Sequence, residues 1–232
     1  MHPTNNTARV AGALYLLTAL TAPFTLIYVP GTLMVPGDAT ATAHNILDSE
    51  TLFRMGMFVD LISTPIWIFL VVTLYRLLNG VNKLHASLMA ILALMIVPIS
   101  CLDIVLQLAA LKLLHGADFL SVFDKSQLEA LAMWFLGLRN SGVVVAEIFW
   151  GLWLFPFGML VMRSGFLPRI LGALLIANGF AYVAISLTSV LLPDQASVVS
   201  HVATPLEFGE LWIMLWLLIK GAKVQPVAAA SS

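Results

Sequence analysis

Charge is scarce in this chain: Asp, Glu, Lys and Arg make up only 10% of its 232 residues, against 60% hydrophobic residues. Mean hydropathy is +0.98. Soluble domains carry about 25% charged residues, so a large soluble domain is excluded and the class is an integral membrane protein. Eleven Lys and Arg against twelve Asp and Glu leave a net charge of -1 with no basic run, which excludes nucleic acid as a partner. Cysteine occurs once, as Cys101 inside an apolar run. An intramolecular disulfide and paired-cysteine metal sites are therefore excluded, and the thiol is expected to be a buried apolar filler. A signal peptide is not expected, because the segment from Arg9 to Val29 is too long for a signal core and lacks a small-x-small cleavage site after it.

What is abundant is long apolar sequence. Runs extend from about Val10 to Val29, Leu52 to Leu78, Leu84 to Leu114, Leu131 to Met162, Ile170 to Leu192 and Val202 to Ile219. A helix crossing the membrane needs about 20 residues, and barrel strands are half that length and alternate. The expected fold is all-α: a polytopic membrane protein with six transmembrane helices in a single bundle. Residues 1–223 form that domain, and residues 224–232 are expected to be a disordered cytoplasmic tail.

The connections set the orientation. Arg9, Arg76, Lys83, Arg163, Arg169, Lys220 and Lys223 fall on one side, and Lys112, Lys125 and Arg54 on the other, so the positive-inside rule places both termini in the cytoplasm. Two outer loops are long, Pro30 to Thr51 and His115 to Lys125. In the first, Asp38 is placed to cap a short surface helix through Ala43, Ile46 and Leu47. In the second, Ser126-Gln127-Leu128-Glu129 has capping-box spacing, which starts the fourth helix at Ser126. From there to Met162 it would measure about 55 Å against a core of about 30 Å, so it must protrude, tilt or break. Gly137, Ser141-Gly142 and Pro156 are the expected kinks, and Pro23, Pro65 and Pro98 interrupt the first three helices.

Polar residues inside these runs carry the functional signal. Asp60, Asp103, Gln107, Arg139, Asn140, Glu147, Asn178, Glu207 and Glu210 all lie within apolar spans. An ionised group at mid-bilayer costs about 2.5 to 3.5 kcal/mol on insertion scales, so they should face inward. Counting from the outer helix ends, Asp60, Asp103, Arg139, Glu207 and Glu210 fall about 7 to 17 Å deep. This places a polar layer in the outer half of the bundle. Asp103 with Gln107, Glu207 with Glu210, and Asn140 with Glu147 share helix faces. Arg139 is the one deep cation and needs a carboxylate, with Glu207 and Glu210 matching it in depth. Asn178 suits an interhelical hydrogen bond.

The candidate ligand-binding set is therefore Arg139, Glu207, Glu210, Asp60, Asp103, Asn140, Glu147 and Gln107. Buried polar networks also fix helix register, and these residues serve that end equally well. His44 and His201 flank the layer, but without an HExxH or ExxH pair no metal ligand is assigned and the cofactor is left open. Ser63, Ser100 and Ser141 lack a nucleophile-elbow context, and no catalytic motif marks the chain as an enzyme. Phe149-Trp150-Gly151-Leu152-Trp153 reads as helix packing, with Gly151 allowing close approach.

Several stretches carry a resemblance. Ala8-Arg9-Val10-Ala11-Gly12-Ala13-Leu14-Tyr15, Val35-Pro36-Gly37-Asp38-Ala39, Leu74-Tyr75-Arg76-Leu77-Leu78, Ile148-Phe149-Trp150-Gly151-Leu152-Trp153 and Arg163 to Gly172 resemble bacterial membrane proteins grouped as domain of unknown function 4386. The resemblance covers nearly the whole chain. It implies a bacterial inner-membrane location and one six-helix unit, and it implies no reaction or site.

Three functions follow as expectations. The first is binding or sensing of a small polar or amphiphilic ligand, lipid included, in an outward-facing intramembrane pocket. The second is a proton- or ion-coupled small-solute transporter using the carboxylates as a relay. The third is a metal-dependent membrane enzyme recruiting the histidines and glutamates. The lipid bilayer is the one certain partner, and the sequence assigns no oligomeric state.

Overall fold

The computed structural model describes residues 3–222, so the expected tail lies outside the described residues. The described part is helical with no strand. Six helical segments are long and apolar enough to cross a membrane: Asn5–Leu33, Glu50–Leu78, Lys83–His115, Lys125–Arg163, Arg169–Leu191 and Pro193–Ile219. These are the first to sixth spans. Large apolar side chains such as Leu20, Phe69, Phe180 and Val190 are exposed along them, as expected of helices solvated by lipid.

Proline positions two of the helix breaks. A proline ring clashes with the carbonyl four residues earlier. Accordingly, Lys83–Leu94 ends four residues before Pro98, and Lys125–Leu152 ends four residues before Pro156. The chain resumes as Ile96–His115 and Leu154–Arg163. Pro23 leads into a π-turn, Phe24–Tyr28. Pro65, by contrast, sits inside the unbroken helix Glu50–Leu78, where the Ser63 and Thr64 hydroxyls donate to the Val59 and Asp60 carbonyls at 2.7 and 2.9 Å. Gly137 and Ser141-Gly142 produce no break.

Several boundaries differ from expectation. The first span continues through Pro30 to Leu33 and the second begins at Glu50, which shortens the expected Pro30–Thr51 loop at both ends. The fourth span starts at Lys125, one residue earlier, because Asp124 is the cap. Its Oδ1 accepts from the Gln127 backbone N–H at 2.8 Å, while the Gln127 side chain accepts from the Asp124 N–H at 3.0 Å. This is a capping box two residues upstream of the expected one. The sixth span starts at Pro193 instead of Val202, since proline is preset for the first helical turn. It pauses at Phe208 before Gly209–Ile219. Cys101 is exposed, not a buried filler.

Two compact units divide the chain. Of the described residues, the first comprises 3–16, Ile68–Met95 and 147–222. Its fourth and fifth spans meet along glycines: a Cβ on Gly151 would stand 2.6 Å from the Gly179 carbonyl oxygen, and one on Gly158 2.6 Å from that of Gly172. Gly12 similarly lies against the Leu218 backbone. Trp153, stacked on Phe157 with centroids 5.2 Å apart, is buried beside this seam. Between these spans the Ser164 hydroxyl donates to the Val161 carbonyl and accepts from the Leu167 N–H, and Gly165 takes φ 71°.

The second unit comprises Leu17–Trp67 and Ile96–Ala146. Its core gathers Val29, Leu33, Ile46, Phe53, Met57, Ala110, Leu111, Ala132 and Leu136. Ile46 comes from the short helix Ala39–Asp48, capped by Asp38 as expected, whose Oδ1 accepts from the Ala41 N–H at 2.8 Å. That helix is tied to the fourth span by Thr40, which donates to the buried Glu129 at 2.7 Å.

Candidate functional site

The expected site residues fall in both units. In the second unit, Arg139 is 5% exposed and donates through Nη2 to the Thr25 carbonyl at 3.3 Å. That acceptor is a product of local sequence. Thr25 lies in the π-turn, where the Val29 N–H bonds to Phe24. The next π-type donor to Thr25 would be residue 30, a proline, which has no N–H. Arg139 thus satisfies a carbonyl that the backbone leaves open.

Around it stand two carboxylates. Asp60 has the Thr25 and Gln107 side chains as hydrogen-bond partners and lies within electrostatic range of Arg139. Asp103 lies within range of both Arg139 and Asp60. Among the described residues, neither carboxylate makes an ion pair with Arg139. Asp103 Oδ1 and Arg139 Nε are both buried and without a hydrogen-bond partner among those residues. Gln107, 4% exposed, donates to the Asp103 carbonyl one turn back at 3.4 Å. Glycine at 142 makes room for the Asp103 carboxylate. Asn140, expected in the layer, is exposed. Arg54 pairs with Glu50 through Nε alone, 2.5 Å from Oε1.

The first unit holds the glutamates. Glu210 accepts from the Tyr15 hydroxyl through Oε2 and from Asn178 Nδ2 through Oε1, the latter at 3.1 Å. Asn178, fully buried, also donates to the Glu207 carbonyl at 3.1 Å. That carbonyl is available because the helix pauses at Phe208 and the Leu211 N–H bonds to residue 208 instead. Gly209 lets the pause approach the fifth span, since a Cβ there would stand 2.9 Å from the Leu174 carbonyl oxygen. Tyr182 lies within electrostatic range of Glu210, Glu207 and Glu147, and its ring meets Trp150 edge-on at 5.8 Å. Glu147 Oε2 is buried without a partner among the described residues. Asn178 makes the expected interhelical bond, and through it reaches the acids.

The hydrogen bond of Arg139 is therefore to Thr25, and Asp60 and Asp103 of its own unit lie within electrostatic range of it, where Glu207 and Glu210 had matched it by depth alone. Tyr15, Thr25 and Tyr182 escaped sequence reasoning, and Glu129 and Gly142 were read only as a capping residue and a kink. Only Thr25 carried a readable signal, the proline five residues later. His44 and His201 are exposed, and no group of three or more His, Cys, Asp or Glu among the described residues could hold a metal ion.

Comparisons with known proteins place these residues in a wider set. A family model described as a domain of unknown function (DUF4386) matches residues 10–221. A protein of Archaeoglobus fulgidus, itself named only as an uncharacterized protein, is 35% identical over 82 residues, covering 35% of this chain and 48% of that one. The match thus spans about half of that relative's length. No solved structure matches.

Proposed function

Because the chain belongs to the family described as domain of unknown function 4386, a description that assigns no reaction, we propose its function from the site alone: a multi-pass membrane protein that binds or senses a small polar ligand. One observation carries this reading. Arg139 Nε and Asp103 Oδ1 are buried in one unit, opposite in charge, and each keeps an unused hydrogen-bonding atom. Leaving such atoms unpaired costs about 1–3 kcal/mol each, so a partner is called for. A ligand bearing an anionic group for the guanidinium and a donor for the carboxylate satisfies both, with Gln107 and Asp60 completing the wall. Free amino acids have that dipolar chemistry. The test is thermal unfolding of the purified protein against a panel of free amino acids. A ligand at about a hundred times its Kd adds about 2.7 kcal/mol, so one class should raise Tm in wild type and leave Arg139→Gln unmoved. If no panel member raises Tm, the reading fails.

A second reading rests on the first unit. Glu147, Glu207 and Glu210 lie in mutual electrostatic reach with Tyr182, and no basic residue figures among their described neighbours. Acid groups without a counter-cation inside a membrane are the usual elements of a proton relay, which supports a proton-coupled carrier. Liposomes loaded with a pH dye should then acidify under an imposed potential with wild type and not with Glu147→Gln. Equal traces dismiss the relay.

The distribution of Lys and Arg supports cytoplasmic placement of both termini, and the resemblance to bacterial membrane proteins supports an inner-membrane location. A fluorescent-protein fusion at the C-terminus, bright only in the cytoplasm, tests the placement.

A further inference from the structure

A separate cavity of about 430 Å³ lies in the second unit, where the second span begins and the third ends. Arg54, Lys112 and His115 line it together with Leu108, Leu111 and Phe119. This volume falls within the range of small-molecule sites, about 300–1,000 Å³. The site is independent of Arg139 and its neighbours.

Its charges do not cancel. Glu50 takes Arg54 Nε at 2.5 Å and His115 Nε2 at 2.9 Å. Lys112 makes no ion pair or hydrogen bond among the described residues. The lining itself holds Arg54, Lys112 and His115 and no acid, and among the described residues the terminal guanidinium nitrogens of Arg54 make no ion pair. Polarity is graded along the third span. Leu108 lies one turn deeper than Lys112 on the same face, and Leu111 one turn deeper than His115. From the other side Phe119, 80% exposed, projects from the short 3-10 turn Asp118–Leu120. A basic rim at a helix end, continuous with leucines that run toward the hydrocarbon, suits a molecule with an anionic head and an apolar tail. A free anion would leave the leucines unused.

We propose that this cavity binds the head of an anionic phospholipid, with Lys112 and Arg54 holding the phosphate and Leu108 and Leu111 receiving the first methylenes of a chain. Its size admits a phosphoglycerol head and not a whole lipid. Recognition is by charge: a zwitterionic head brings its own cation and gains less from the rim.

The test uses the full chain in phosphatidylcholine nanodiscs doped with phosphatidylglycerol, followed by detergent exchange and mass-spectrometric counting of retained lipid. Wild type is expected to retain phosphatidylglycerol over phosphatidylcholine. Lys112→Gln, at an exposed position whose loss disturbs no packing, should lower that preference about fivefold, and Lys112→Arg should restore it. Leu108→Trp, which fills the apolar end, should lower retention of both lipids. Excess inorganic phosphate should leave the bound lipid in place. Equal retention of the two lipids by wild type, an unchanged preference in Lys112→Gln, or displacement by inorganic phosphate alone would each overturn the proposal.

Discussion

The carboxylate of Asp103 occupies the space that a Cβ on Gly142 would need. Glycine on the fourth span thereby sets where an acid of the third span can sit. The obstructing atom is the end of a side chain and not backbone, so a larger residue can be accommodated by rotating it.

Gly142→Ala should therefore separate stability from binding. Turning the Asp103 side chain away from its preferred rotamer costs about 1 kcal/mol, a small shift in Tm. The carboxylate moves off its position, however, and any Tm increase produced by a free amino acid in wild type should be lost in the variant. The same thermal melts, with and without ligand, measure both.

Glycines against backbone behave differently. At Gly151 and Gly158 an added methyl meets a carbonyl oxygen 2.6 Å away, and a helix backbone cannot turn aside. Gly151→Ala and Gly158→Ala should each destabilise by about 1–3 kcal/mol, seen as a lower midpoint in detergent-denaturant unfolding.

Tyr15→Phe removes the donor to Glu210 Oε2 and leaves Asn178 alone on that carboxylate. A side-chain hydrogen bond contributes about 0.5–1.5 kcal/mol net, so Tm should fall, and less in a Glu210→Gln background where the acceptor is already changed. A double-mutant cycle on Tm measures the coupling.

Asp124 supplies a pH dependence outside the spans. The backbone N–H of Gln127, then the Ser126 hydroxyl, hold its carboxyl below the usual carboxylate range. A lowered folded-state value means the cap's stabilisation is present above the unfolded value, about 3.9, and is lost as pH falls through the folded one. Hydrogen exchange of amides 125–129, corrected for intrinsic rate, should lose protection below about pH 4 in wild type. Asp124→Asn should show no such transition.

How far these features could be read from sequence depends on their range. Six spans follow from apolar runs alone, and the Asp38 cap from residues within one turn. The breaks follow from Pro98 and Pro156 once the clash is placed four residues earlier, at Leu94 and Leu152. The polar residues within the spans were legible as residue types. Their partners were not, because depth along separate helices does not specify which faces meet. Arg139 matched Glu207 and Glu210 in depth, yet its bond is to Thr25, a carbonyl freed by Pro30. Asn140, seven residues before Glu147, is exposed because a shared face over two turns is loose. Tyr15 and Tyr182 were passed over because a tyrosine within an apolar run reads as apolar, although its hydroxyl needs a partner.

The proposed function rests on Arg139 and Asp103 as an open polar pair for a ligand. An experimental density map of the protein purified from native membranes tests it most directly. Non-protein density is expected within hydrogen-bond distance of both Arg139 Nε and Asp103 Oδ1, and absent from a map of Arg139→Gln. A direct ion pair between Arg139 and Asp103, with no room between them, would contradict it.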